Sequence, residues 1–146
     1  MSYPSPAHAL SAIAKELGAD GLIFDESGIA RLGINDQMVV ALAQGVREDC
    51  LDIVAEVPIK LEELSHEMAV NLLLANFRCG GPGLPTFGVN PTDGTVLLNN
   101  SLQVNRMQLE DLMQAFHSFT NVLHHYHNDG LRELQEQSRP ADATVN

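Results

Sequence analysis

Hydrophobic residues recur at helical spacing over residues 61–77, and they form two stripes rather than one. One stripe holds Leu61, Leu64, Met68, Leu72 and Ala75, and the opposite stripe holds Val70, Leu73, Leu74 and Phe77. A helix on the surface of a single domain buries only one such stripe. We therefore expect the second stripe to pack against another molecule. For a chain of 146 residues, a second copy is the simplest partner.

The remaining periodicities predict two further helices and about five strands. The predicted helices span residues 6–17, 61–77 and 107–135, and the strands span 30–34, 38–44, 51–57, 86–89 and 95–99. Short loops such as 25–28 and 90–94 are rich in turn-forming residues, which favours antiparallel pairing of neighbouring strands. Pro58 is expected to end the third strand. The order α-β-β-β-α-β-β-α predicts an α+β fold, a two-layer sandwich of one antiparallel sheet and three helices.

A single domain is expected over residues 1–137, followed by a flexible polar tail at 138–146. The apolar face predicted for the last helix consists of Leu109, Met113, Phe116, Leu123, Leu131 and Leu134, with Leu112 and Phe119 at one edge. Helices should cover one face of the sheet. The other face needs cover from loops, from a second copy or from a ligand.

The charge balance excludes several classes of partner. With 19 acidic and 8 basic residues, the formal net charge is -11, which argues against nucleic acid and against an anionic membrane surface. No run of residues is long and apolar enough for a membrane span. Cys50 and Cys79 accompany an N-terminus without the features of a signal peptide, so we expect reduced thiols and a cytoplasmic location.

Residues that could support catalysis or metal binding are present but poorly arranged. His117, His124, His125 and His127 lie on the last predicted helix, yet no HExxH or similar ligand spacing occurs. We expect structural or surface roles for them, no metal and no cofactor. A small metal-dependent enzyme built on these histidines is kept as an alternative hypothesis, which metal analysis would test.

Other candidate motifs are also weak. The glycine-rich residues 80–83 lack the GxxxxGK[ST] phosphate-binding pattern, and no GxSxG nucleophile elbow is present. Asp25 and Glu26 form a carboxylate pair in a turn, where we expect both to be solvated, with no cause for a shifted pKa. None of these patterns predicts an active site by itself.

Three motifs resemble those of the class I type III secretion chaperones, the Tir chaperone family. They are LIFDESG at 22–28 followed by LGI at 32–34, LLLANF at 72–77, and FGVNPTDGTVL at 87–97. The resemblance covers residues 5–135. It implies a cytoplasmic homodimer of a Gram-negative bacterium, without enzymatic activity. Such a dimer binds the N-terminal segment of a secreted effector in extended form and keeps it soluble and competent for export. Whether the export ATPase is a further partner stays open.

The family resemblance also implies two binding surfaces. The middle helix is expected to form the dimer interface through Val70, Leu73, Leu74 and Phe77. The effector-binding groove is expected to comprise Leu10, Ile13, Leu17, Ala30, Leu32 and Ile34, because an extended peptide can add to a sheet edge and place alternate side chains in pockets. The alternative is a regulatory binding protein of the same fold that sequesters a regulator of secretion genes.

Overall fold

Three helices and a five-stranded antiparallel sheet make up the chain, which confirms the predicted α+β class. The computed structural model describes residues 3–19, 21–34, 38–45, 47, 49–79 and 84–128, without the side chains of Arg78 and Cys79. The elements are α1 (Pro6–Leu17), β1 (Ile29–Gly33), β2 (Val39–Gln44), β3 (Cys50–Lys60), α2 (His66–Cys79), β4 (Thr86–Val89), β5 (Thr95–Gln103) and α3 (Leu109–Asn128). The predicted turn at 35–36, the glycines at 80–83 and the predicted tail lie outside the described residues.

The sheet has the strand order β1-β2-β3-β5-β4, so β1 and β4 are its edges. Alternate residues of the three central strands, among them Val40, Ile53 and Leu98, are buried on one face. On that face α1 and α3 pack against the central strands, and α2 packs against β4. On the opposite face Val39 is exposed, and Ala41, Val54 and Leu97 are only half-buried.

Helix α1 has the predicted bounds because strong local signals set both of its ends. The Ser5 hydroxyl accepts a hydrogen bond from the His8 N–H at 3.3 Å, and Pro6 occupies the first turn. Gly18 adopts a left-handed conformation with φ +66°, and its N–H bonds the carbonyl groups of the last turn. Together these signals leave little freedom in where the helix begins and ends.

The single helix predicted over residues 61–77 is wrong at its start. Leu61–Glu63 forms a separate 3-10 turn, and Leu64 is extended with ψ 127°. The hydroxyl of Ser65 accepts a hydrogen bond from the Met68 N–H at 3.1 Å, so α2 begins after this N-cap. Hydrophobic spacing alone cannot distinguish a continuous helix from a turn and a helix joined by a capping residue.

Pro58 does not end β3, contrary to the prediction, because the strand continues to Lys60. Pairing with β2 reaches only to Ala55, and the register with β5 shifts between Glu56 and Lys60. Pro58 therefore lies at an irregularity with no β2 neighbour, where the missing N–H costs no ladder hydrogen bond.

The buried face of α3 is rotated relative to the prediction. Leu112, Phe119 and Leu123 have no exposed surface, whereas Leu109 is 38% exposed. The helix packs against α1 as well as against β3 and β5, so its buried face is centred on the side that meets all three. Placing Leu112 and Phe119 at the edge of this face was wrong. Leu131 and Leu134 lie outside the described residues.

Candidate partner-binding surfaces

The second stripe of α2 is exposed on the single chain. The exposed fractions are 40% for Val70, 68% for Leu73, 45% for Leu74 and 88% for Phe77, and we call these four side chains the α2 face. On the other side of the helix, Met68 and Leu72 are buried in the core. Within α2 the structure therefore separates the two stripes as the periodicity predicts, whereas Leu61 of the first stripe lies before the helix and is 52% exposed. Such a concentration of large exposed apolar side chains on one helix is typical of an interaction surface.

An apolar cleft between α2 and β4 adjoins the α2 face. It has a volume of about 230 Å³, and its lining consists of Leu61, Leu64, Ala69, Leu72, Leu73, Asn76, Phe87, Gly88, Val89 and Val96. Leu73 contributes to both the cleft and the α2 face. The accessible apolar surface thus extends from α2 towards the β4 edge of the sheet.

At the other edge, the hydrogen-bond pattern of β1 shows which backbone groups are unpaired. The Gln44 N–H bonds the Gly28 carbonyl at 3.0 Å, and the Ile34 N–H bonds the Met38 carbonyl at 2.9 Å. Bonded pairs alternate along an antiparallel ladder, so the N–H and C=O groups of Ile29, Arg31 and Gly33 point away from β2. These three residues form the free edge of β1.

Asp25 closes the first position of this edge. Its Oδ1 accepts a hydrogen bond from the Ile29 N–H at 3.0 Å, and its own N–H donates to the Ile29 carbonyl at 2.9 Å. Its carboxylate also accepts from the N–H and hydroxyl of Ser27 and from the Arg31 guanidinium. Among the described residues, no hydrogen bond engages the outward N–H and C=O groups of Arg31 and Gly33, so these two positions are open to another strand.

The same contacts lower the pKa of Asp25 to about 2, chiefly through the Ser27 hydroxyl and then through the Ile29 N–H. The expectation that no cause for a shift exists in this turn is therefore wrong for Asp25. Exposure to water does not prevent the shift, because the local backbone directs several donors at one carboxylate. Asp25 serves the architecture of the β1 edge rather than acid–base chemistry.

A small groove lies beside the open part of β1. It has a volume of about 210 Å³, and its lining consists of Ala19, Gly21, Leu22, Ile23, Arg31 and Leu32. Ile23 is 74% exposed, although the sequence analysis did not assign it to the site. Its only signal was the short apolar run before the turn at 25–28. The groove combines apolar side chains with polar atoms, and it lies next to unpaired backbone.

The structure divides the six residues predicted to bind the effector into two sets. Leu10, Ile13 and Ala30 are buried in the core and offer almost no surface to a partner, so they are withdrawn from the binding surface. Leu17 is 36% exposed, and Leu32 and Ile34 are half-buried. The error arises because apolar spacing marks the residues that pack inward, whereas accessibility depends on the tertiary fold.

The open face of the sheet also carries apolar surface. A depression of about 630 Å³ includes Val39, Ala41, Val54 and Leu97 among its lining residues, and Val39 is 55% exposed. The depression extends to the end of α3, where Nε2 of His127 lies 3.2 Å from the Glu56 carbonyl oxygen. This is the sheet face that was expected to need a cover.

In the described part of the chain, the His, Cys, Asp and Glu side chains do not form a metal-binding cluster. Within residues 3–128, excluding the undescribed gaps, no group of three or more His, Cys, Asp or Glu side chains is placed to hold a metal ion. His124 contacts Asn128, and the ring of His125 packs against Tyr126. Cys50 is a buried free thiol whose Sγ lies 3.6 Å from Asp49 Oδ1. No helix in the described part of the chain is long and apolar enough to cross a membrane.

Comparison with solved structures finds the same fold at low sequence identity. A chain of the Yersinia pestis type III secretion chaperone SycH in complex with a stable fragment of YscM2 matches with a TM-score of 0.67 and 20% identity, over 84% of this chain and 99% of that one. A chain of the HopA1–SchA chaperone–effector complex matches with a TM-score of 0.67 and 13% identity, over 82% and 90%. A chain of the ExoT–SpcS complex from Pseudomonas aeruginosa matches with a TM-score of 0.62 and 16% identity, over 83% and 95%.

Sequence comparison identifies the family directly. No curated protein matches the sequence significantly. The profile of the Tir chaperone protein (CesT) family, however, matches residues 8–126, which is most of the chain and includes all three motifs. The chain belongs to the Tir chaperone protein (CesT) family.

Proposed function

We propose that this protein is a non-catalytic, cytoplasmic chaperone of bacterial type III secretion that binds the N-terminal segment of a secreted effector in extended form. The observation that carries the proposal is the open β1 edge at Arg31 and Gly33, which adjoins a groove lined in part by Leu22, Ile23 and Leu32. Two of the structural relatives support it: HopA1–SchA is a chaperone–effector complex, and SycH is a type III secretion chaperone in complex with a fragment of YscM2. The bound segment stays unfolded and soluble because the chaperone covers its apolar side chains.

An added strand would use both features of this edge. Its backbone would bond the outward N–H and C=O groups of Arg31 and Gly33, and alternate side chains would point to the same face. An apolar side chain at one of these positions would enter the groove beside Ile23 and Leu32. The main-chain hydrogen bonds would supply affinity whatever the sequence of the bound segment. The groove would favour segments that place an apolar side chain at the position facing it.

The proposal includes a homodimer formed through the α2 face. A net charge of -11 on each chain opposes self-association, so the contact must derive its free energy from apolar burial. Val70, Leu73, Leu74 and Phe77 provide that surface on one helix. Pairing through α2 would leave both β1 edges of the dimer free for an effector.

Two substitutions at Gly33 test strand addition. An added Cβ at this position meets no atom within 4 Å, so Gly33→Ala fits sterically. Only proline removes the outward N–H, and edge strands tolerate proline. The chaperone would be co-expressed with the N-terminal segments of proteins encoded beside it, and the retained segment would be quantified after affinity purification. We expect Gly33→Pro to release the segment and Gly33→Ala to retain it.

Equal retention of the segment by both folded variants would contradict strand addition at β1. Recovery of a transcriptional regulator in place of a secreted protein would favour the regulatory alternative. The export ATPase stays a predicted further partner, to be tested in the same co-expression format.

A further inference from the structure

Asn76 of α2 makes two hydrogen bonds to the backbone of one β4 residue. Its side-chain Nδ2 donates to the Phe87 carbonyl at 3.1 Å, and its Oδ1 accepts from the Phe87 N–H at 2.6 Å. A primary amide that bonds both groups of one residue reproduces what a neighbouring strand would offer at that position. The contact joins two elements that are eleven residues apart in sequence.

The pairing of β4 with β5 shows that these bonds lie on the free side of β4. The Asn90 N–H donates to the Thr95 carbonyl at 2.9 Å, which fixes the alternation of bonded pairs. Gly88 and Thr86 therefore bond to β5, and Phe87 and Val89 point their N–H and C=O groups outward. Asn76 thus occupies both outward groups of Phe87, at the outer edge of the sheet.

Little of the β4 edge is left for another strand. Pro85 precedes the strand and has no N–H, so Val89 alone keeps a free outward pair among the described residues of β4. At β1, by contrast, Arg31 and Gly33 are consecutive open positions. Strand addition needs successive hydrogen-bonded pairs, so the β1 edge can accept another strand and the β4 edge cannot.

We propose that Asn76 closes the β4 edge by acting in place of a sixth strand, which confines strand addition to the β1 edge. Asn76 is a positioning residue in this role, and it protects the sheet from edge-to-edge pairing between chains. The side chain lies in the cleft next to the α2 face, so closing this edge also keeps the apolar surface of β4 from recruiting an unrelated strand. The inference concerns the sheet itself and does not rest on effector binding.

The test compares Asn76→Ala with Asn71→Ala in the full chain. Asn71 lies on the same helix, and its side-chain Nδ2 has no hydrogen-bond partner in the described structure, so it is a matched control. We expect Asn76→Ala to accelerate amide exchange at Phe87 by about tenfold and to leave Gly88, which bonds to β5, protected. We also expect Asn76→Ala, but not Asn71→Ala, to form species larger than the wild-type oligomer in sedimentation velocity.

Two further variants separate edge closure from a general loss of stability. Asn76→Asp keeps an acceptor for the Phe87 N–H and loses the donor to its carbonyl, so the Phe87 amide should stay protected. Asn76→Ala leaves two outward N–H groups on β4, those of Phe87 and Val89. Adding Val89→Pro removes one of them, so β4 no longer has successive open positions and the larger species should disappear.

Wild-type exchange at Phe87 and unchanged sedimentation for folded Asn76→Ala would overturn the proposal. Unfolding of both Asn76→Ala and Asn76→Asp would also overturn it, because the side chain would then serve stability in general. Amide exchange and sedimentation are measured without an effector. A negative result for Asn76 is therefore distinguishable from a negative result in the Gly33 experiment.

Discussion

Asp25 and Asn76 occupy equivalent positions at the two edges of the sheet, because each bonds the outward backbone groups of an edge residue. Each makes hydrogen bonds to both outward backbone groups of one edge residue, Ile29 in β1 and Phe87 in β4. Asp25 lies in the segment 22–28 and Asn76 in the segment 72–77, both of which resemble motifs of the Tir chaperone family. In each segment, one residue bonds backbone groups at a sheet edge, which limits where another strand can pair.

At the residue scale, Ser27→Ala should raise the pKa of Asp25, because the Ser27 hydroxyl is the largest cause of its lowering. Arg31→Gln should raise it less, since the Arg31 contribution is the smallest of the causes. NMR titration of the Asp25 carboxyl carbon would measure both values. An unchanged pKa in Ser27→Ala would refute this account of the turn.

The pH dependence of the turn follows from the same shift. The folded pKa of about 2 lies below the ordinary value of 3.8, so the stabilising contribution of Asp25 is complete above that value. It decreases as the pH falls through the folded pKa, when the carboxylate that accepts these bonds is protonated. Protection of the Ile29 amide should follow this titration in the wild-type chain.

At the element scale, prediction succeeds where the signal is local. The ends of α1 follow from Ser5, Pro6 and Gly18, and the bounds of β4 are as predicted. The start of α2 and the end of β3 were wrong because Ser65 capping and the limit of β2 pairing override the apolar spacing. The α2 face was identifiable from periodicity, whereas the open positions of β1 depend on strand register, which single-sequence patterns do not encode.

The corrected orientation of α3 gives a stability prediction. Leu112→Ala should lower the free energy of unfolding by about 2–5 kcal/mol, because Leu112 has no exposed surface and its truncation leaves a cavity. Leu109→Ala is the matched control on the same helix, and its partial exposure predicts a clearly smaller loss. Chemical denaturation with a shared m-value would compare them. A larger loss for Leu109→Ala would restore the sequence-predicted face.

At the scale of the whole molecule, large apolar side chains stay exposed in several places on one chain. The α2 face, the groove beside β1 and the depression on the open sheet face lie on different parts of the chain. The acidic balance keeps such a molecule soluble and disfavours non-specific pairing with other acidic chains. The molecule is therefore suited to pair through one apolar surface and to hold an extended chain at another.

The central claim is that the α2 face pairs two chains. Light scattering coupled to size-exclusion chromatography tests it most directly, on the wild type and on the double variant Leu73→Asp with Phe77→Asp. Leu109→Asp, at an exposed leucine on α3, is the control. We predict twice the mass of one chain for the wild type and the control, and a monomer or aggregate for the double variant. A monomeric wild type in dilute solution, or a normal dimer of the double variant, would contradict the account.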